Sequence, residues 1–118
     1  MDLEREALEL KRSLAEYLEK MVQALPSIIS DYRFGKEDKA NEQMLLLVEG
    51  LIWTCDAVNL TKDYHGISLV SMRELLEELN EALANGDKVL TADLLEYEMM
   101  PKINEWREQI LTEKNDVC

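Results

Sequence analysis

The sequence has few of the residues from which small proteins build covalent or metal-centred sites. Its 118 residues include two cysteines and one histidine. Two cysteines exclude a framework of several disulfides, and a single histidine excludes the paired Glu-x-x-His ligands of a ferritin-like di-iron centre. A magnesium site built from carboxylates alone, among Asp93, Glu96, Glu49 and Asp56, is the one metal alternative. We expect a chain without metal or cofactor that folds on its apolar core.

Catalytic motifs are also missing. The chain contains no glycine-rich phosphate loop, no Cys-x-x-Cys pair and no local signature of a nucleophile with its base. Cys55 lies within an apolar run and is expected to be a packing residue, while Cys118 is the last residue. His65 lies in a polar segment and is expected to be solvated. The sequence therefore predicts a protein without enzymatic activity.

Basic residues and long apolar runs are scarce as well. Thirteen lysines and arginines stand against 25 acids, for a net charge of −12, and they are scattered. Such a chain repels phosphate backbones and anionic lipid, so we expect no nucleic-acid partner. The longest uninterrupted apolar run, Met44 to Val48, is too short to span a bilayer, and the start of the chain lacks the order of a secretory signal. These features predict a cytoplasmic protein that does not bind membranes.

Glycine and proline are rare, with four and two residues, which favours helices throughout. The first helix carries apolar residues at alternating spacings of three and four and is predicted to end at Gly35. Pro26 predicts a kink or a short break within it, because proline removes a backbone donor and clashes with the preceding turn. A second helix is predicted over about 37–61.

The third helix follows a polar segment, 61–68, and Ser71 with Glu74 fits a capping box at its start. Gly86 is predicted to end it, and Asp87 to cap a fourth helix that extends to about Glu113 with a kink at Pro101. Short connections between helices favour antiparallel neighbours. The predicted fold is therefore all-α, an up-down four-helix bundle with proline-kinked first and last helices, in one domain over residues 1–118.

The second helix carries a row of acids between apolar rows. Four acids recur every seven residues and so share a narrow strip: Glu42, Glu49, Asp56 and Asp63. Opposite them lie the predicted core residues Met44, Leu47, Leu51, Cys55 and Val58. The acidic strip is expected to be solvated. Its borders are nevertheless apolar, with Leu46, Trp53 and Leu60 on one side and Leu45 and Ile52 on the other. Most of the surface of this helix is therefore expected to be buried against other segments or a partner.

The fourth helix shows a similar excess of apolar residues. Its predicted inner face consists of Ala92, Leu95, Met99, Trp106 and Ile110, and its first half carries a second apolar face. Either the first helix covers these additional faces or a partner chain does. The second alternative predicts a homodimer, and the candidate interaction surface then comprises Leu46, Trp53, Leu60, Leu90, Leu94 and Tyr97.

The segment LLEYEMMPKINEW, residues 94–106, resembles a segment found near the end of small acidic helical bacterial proteins with no assigned activity. The resemblance brings no catalytic residues with it and implies a bacterial cytoplasmic protein. The leading hypothesis is a non-enzymatic interaction or adaptor protein that self-associates. In size and charge the chain is also similar to flagellar and type III secretion chaperones, which implies an export or assembly chaperone. A third alternative is a small-molecule-binding domain with a pocket bordered by Trp53, Tyr97 and Trp106.

Overall fold

The structure, a computed structural model, describes the backbone of residues 2–113 and the side chains of residues 4–63 and 65–111. Its elements are α1 (Asp2–Arg33), α2 (Glu37–Leu60), a 3-10 turn (Lys62–Tyr64), α3 (Val70–Ala84), α4 (Lys88–Leu94), a π-helical segment (Leu95–Met99) and α5 (Met100–Glu113). The last three form one continuous helical rod. Within this described part there is no strand, and the predicted all-α bundle of four helices is confirmed.

The long first helix organises the bundle. At 1.5 Å per residue, α1 is about 48 Å long, which matches the longest dimension of the molecule, 50 Å. Along that length α1 contacts α2 on one side and α4, the π segment and α5 on another, while α3 packs against α4. Apart from the contact of α3 with α4, each of the larger contacts involves α1 or joins two segments of the last rod.

Two glycines close the tight turns, as the sequence predicts. Gly35 and Gly86 have φ of 77° and 66°, a region that L side chains disfavour. The amide of Lys36 donates to the Asp31 carbonyl over 2.8 Å, and the amide of Asp87 donates to the Ala82 carbonyl over 2.9 Å. These are the bonds of a Schellman motif, which satisfies carbonyls at a helix end. The chain reverses at both places, so the helices on either side become neighbours.

The two prolines have different outcomes. Of the two alternatives predicted at Pro26, the short break is wrong, because α1 stays helical on both sides of this residue, and the kink stays a prediction. Extensive packing of α1 outweighs the cost of about 3 kcal/mol for an interior proline. Before Pro101 the helix widens into the π segment, in which the Met100 amide donates to the Leu95 carbonyl. A wider turn relieves the crowding between a proline ring and the carbonyl four residues earlier.

The start of α3 differs from the predicted capping box. The helix begins at Val70, and its N-cap position, Leu69, makes no side-chain cap bond. The hydroxyl of Ser68 instead accepts from the Val70 amide over 3.3 Å, whereas the Ser71 hydroxyl accepts from Lys102 Nζ. The predicted cap at Asp87 is confirmed, since its carboxylate accepts from the Leu90 amide over 3.0 Å.

A single apolar core runs through the bundle. The apolar seam predicted for α1 is buried from Leu14 to Tyr32, and α3 carries one apolar stripe that is buried at Met72, Leu75, Leu79 and Ala82. From the last rod the core receives Ala92, Leu94, Leu95, Met99, Ile103, Trp106 and Ile110. Together with the buried side of α2, these residues form one cluster of apolar side chains.

Candidate interaction surface

The outward side of α2 carries large apolar side chains that the rest of the described chain leaves partly or largely exposed. We call this surface the outer face of α2 and define it by Leu45, Leu46, Ile52, Trp53 and Leu60, with Glu42, Glu49 and Asp56 between them. The five apolar side chains are between 39% and 71% exposed. The opposite side of α2 is buried, with Met44, Leu47, Leu51 and Val58 in the core. Isolated exposed leucines are ordinary, whereas two rows of exposed apolar side chains on one helix make this surface a candidate for an interface.

The acids of the outer face lie in a row along its middle. At 100° per residue, the acidic row is separated by roughly 40 to 60° from Leu46, Trp53 and Leu60 on one side and from Leu45 and Ile52 on the other. Glu42, Glu49 and Asp56 are exposed, as predicted, whereas Asp63, the fourth acid of the predicted strip, is exposed but lies beyond α2 in the 3-10 turn. Among the described residues, no ion pair involves any of the three. The row is therefore a strip of uncompensated negative charge inside an apolar surface.

Cys55 lies at the edge of the inner side of α2 and is half-buried, less than its predicted core position implies. Burial is the main cause that raises the pKa of its thiol, and the neighbouring Asp56 carboxylate acts in the same direction. Arg73 of α3 opposes both effects. A raised pKa keeps the thiol protonated, which is the opposite of what a nucleophilic cysteine requires.

A groove of about 510 Å³ separates α1 and α2 beside the outer face. Tyr17 and Gly50 form its floor, and Glu16, Lys20, Leu46 and Trp53 are among the residues on its sides. The Tyr17 ring packs edge-on against Trp53, with ring centroids 5.3 Å apart. A Cβ at position 50 would overlap the Tyr17 hydroxyl and lie 2.8 Å from Cζ. Gly50 therefore allows Tyr17 of α1 to lie directly against the α2 backbone.

The candidate residues on the last rod divide between surface and core. Leu94 is 3% exposed and must be removed from the predicted interaction surface, because α4 is packed against both α1 and α3. Leu90 and Tyr97 are exposed at 44% and 66%. Beside them, Arg33 donates to Asp93 and Glu96 over 3.0 Å each. A hydrogen bond with Glu96 is the main cause that raises the pKa of Tyr97.

The three aromatic residues predicted to border a ligand pocket are not brought together. Trp106 is buried in the core at 3% exposure. Trp53 contacts Tyr17 in the middle of α1, whereas Tyr97 lies beside Arg33 at the C-terminal end of that helix. Tyr17 and Arg33 are about 24 Å apart along that helix at 1.5 Å per residue. The predicted aromatic pocket is therefore wrong.

The carboxylates considered for magnesium are dispersed too. Asp93 and Glu96 share Arg33, while Glu49 and Asp56 belong to α2. In the part of the chain that the structure describes, no three acidic, cysteine or histidine side chains are grouped as ligands for a metal ion.

His65 is buried, not solvated as predicted. Its Nδ1 accepts from the Ile67 amide over 3.1 Å, so the proton of the neutral ring lies on Nε2. That nitrogen is 2.9 Å from the Thr61 hydroxyl and 3.1 Å from the Val58 carbonyl. Thr61 in turn donates to the Ala57 carbonyl over 2.7 Å. The ring thus holds the connection between α2 and α3 against the end of α2. This role depends on the path of the loop, which the sequence pattern does not indicate.

By length and composition, α2 is the one described helix that could cross a bilayer, with a mean hydropathy of 1.2 over its most apolar stretch. Core helices of globular proteins meet the same criterion. The absence of a membrane-spanning segment stays a prediction.

Comparison with known proteins places the chain in a family. The model of a domain of unknown function (DUF8042) matches residues 9–109, and the chain belongs to this family. No curated protein and no solved structure matches it. The matched region covers α1 from residue 9, all of α2, α3 and α4, and most of α5. The resemblance of residues 94–106 to proteins without an assigned activity is confirmed in this sense.

Proposed function

We propose that the protein is a non-enzymatic interaction protein and that the outer face of α2 is its binding surface. One observation carries this proposal: five large apolar side chains are exposed on a helix whose opposite side is already buried in the core. Covering them would remove apolar area from water, which is the main favourable term in protein association. Trp53 lies near the middle of the face, and tryptophan is among the residues most often found at binding hot spots.

A second copy of the chain is the first partner that we propose for this face. The row of Leu46, Trp53 and Leu60 continues for about four turns of α2 and the row of Leu45 and Ile52 for about two, so two such helices can pack against each other along this face. The acidic row opposes the pairing, since two copies bring like charges close together. Salt screens exposed charges beyond about 8 to 10 Å but leaves apolar contact intact, so dimerisation should strengthen as salt rises.

Light scattering coupled to size exclusion tests this proposal. The wild type should be a dimer at micromolar concentration and moderate salt, and Trp53→Glu should be a monomer, because a charge in the middle of the face is costly to bury. Val70→Glu is a matched control, since Val70 is also exposed but lies on α3. Circular dichroism should show the same helicity for all three proteins. A wild-type monomer at both low and moderate salt would contradict self-association.

A further inference from the structure

We infer that the outer face of α2 selects a basic amphipathic helix of another protein over a second copy of this chain. The inference rests on the proposed function and identifies the partner that fits best. The apolar rows provide contact for any apolar helix, whereas the acidic row distinguishes between helices by their charge. Discrimination between partners depends on the difference of their affinities, and repulsion of the wrong partner contributes as much as attraction of the right one.

The charged side chains of the outer face are all acidic, so this face attracts basic helices and repels acidic ones. Between residues 40 and 61 the sequence has three acids, Glu42, Glu49 and Asp56, and no lysine or arginine. All three acids are exposed, and within the described residues none has an ion-pair partner. Elsewhere the described acids Asp93, Glu96 and Glu37 are paired with Arg33 or Lys88. The outer face therefore differs from that end of the bundle, where each of these three acids has an ion-pair partner.

The basic groups around the outer face form no ion pair with its acids. Lys39 lies one helical turn before Glu42 on the same side of α2, and none of the ion pairs among the described residues joins the two. Lys20 lies in the groove on the α1 side together with Glu16, and Arg73 of α3 acts on Cys55 at the other edge of α2. Neither residue forms an ion pair with the acidic row. A second copy would bring three more acids to the same place, whereas a helix with lysines between its leucines would bring compensating charges.

Arrangement along the helix favours the same partner. Glu42, Glu49 and Asp56 recur every seven residues, as do Leu46, Trp53 and Leu60. A partner helix with apolar residues in two rows and basic residues at heptad spacing between them matches this pattern in both position and sign. Exposed opposite charges each contribute a few tenths of a kcal/mol, so three pairs should together change affinity by roughly fivefold at low salt.

Model helices provide a direct test. Three peptides of about 18 residues, the length of this face, would share one pattern of leucines and carry lysine, glutamine or glutamate at the remaining positions. Binding is measured by calorimetry with the full chain at low and moderate salt. We expect the lysine peptide to bind about fivefold more tightly than the glutamine peptide and the glutamate peptide most weakly, with differences that shrink as salt rises.

Two triple variants locate the effect. Glu42→Gln, Glu49→Gln and Asp56→Asn together should abolish the preference for lysine. Glu77→Gln, Glu78→Gln and Glu81→Gln change the net charge by the same amount on exposed positions of α3, and this control should keep the preference. Equal affinity for all three peptides, or an unchanged preference in the α2 variant, would overturn the inference and leave the proposed function in place. If no peptide binds and Trp53→Glu has the same mass in solution as the wild type, both the inference and the proposed function are wrong.

Discussion

Tyr17 of α1 meets Trp53 of α2 at an interplanar angle of 75°, so that the edge of one ring points at the face of the other. Such a pair stabilises a helix contact by about 0.5 to 1.5 kcal/mol beyond the area that it buries. The contact depends on Gly50, one turn before Trp53, over which the Tyr17 phenol lies. The exposed face of α2 is thus anchored to α1 at its middle.

This arrangement predicts that Gly50→Ala has opposite effects in two backgrounds. In the wild type, the new Cβ displaces Tyr17 and should lower the free energy of unfolding by about 1 to 2 kcal/mol. In a Tyr17→Ala background the same change should raise it by up to about 1 kcal/mol, the usual gain from alanine over glycine inside a helix. Urea denaturation measures all four proteins. An effect of equal sign in both backgrounds would show that Tyr17 does not hold position 50.

His65→Ala should destabilise the fold more than its place in a loop suggests. The change removes the acceptor for the Ile67 amide and the donor that reaches Thr61 and Val58. Leaving buried groups without partners costs about 1 to 3 kcal/mol. Lys62→Ala, in the same connection but exposed, is the control and should change stability by no more than about 0.5 kcal/mol. Thermal or urea unfolding of both variants decides whether the histidine is structural.

Two capping positions should respond differently to alanine. Asp87→Ala removes the acceptor for the Leu90 amide and should cost about 1 kcal/mol. Ser71→Ala removes a hydroxyl that accepts only from exposed Lys102 and should cost less than about 0.5 kcal/mol. The comparison is made by denaturation midpoints under one set of conditions. A larger loss at Ser71 than at Asp87 would mean that α3 begins with the capping box after all.

Cys55 should react slowly with iodoacetamide near pH 8. Its raised pKa leaves less thiolate in the folded protein than in the unfolded chain at the same pH. For the same reason, the stability contributed by the protonated thiol is complete below the unfolded pKa of about 8.5 and is lost as the pH rises through the higher folded value. Mass spectrometry of a Cys118→Ser variant, native and in urea, measures the rates. Equal rates in the two states would contradict the burial of the thiol.

Features set by local chemistry could be predicted from the sequence. The seam of α1, the stripe of α3 and the turns at Gly35 and Gly86 follow from helical periodicity and from the freedom of glycine at positive φ. The outer face of α2 was also predictable, because too many of its positions are apolar for one packed side. Helical periodicity shows which side of a helix is apolar, but it does not show which other segment packs against that side.

Two errors came from that missing information. Leu94 is predicted to belong to an exposed second apolar face of the last helix. It is buried, because α4 packs against both α1 and α3. His65 reads as a loop residue, yet the loop folds back and places its ring against the end of α2. Both outcomes depend on contacts between distant segments, which intrinsic propensities and helical spacing do not encode.

The π segment before Pro101 fixes the rotational phase of the last helix. It holds about one residue more than the α-helical turn that it replaces, and one residue corresponds to about 100° of rotation around the helix axis. Everything after it is turned by that angle relative to an uninterrupted α-helix that continues from α4. The orientation of Ile103, Trp106 and Ile110 toward the core is therefore tied to the length of the segment. A chain shortened by one residue between positions 95 and 99 could form a regular α-helix there. The helix could then keep either Trp106 or the pair Ala92 and Leu95 directed toward the core, but not both.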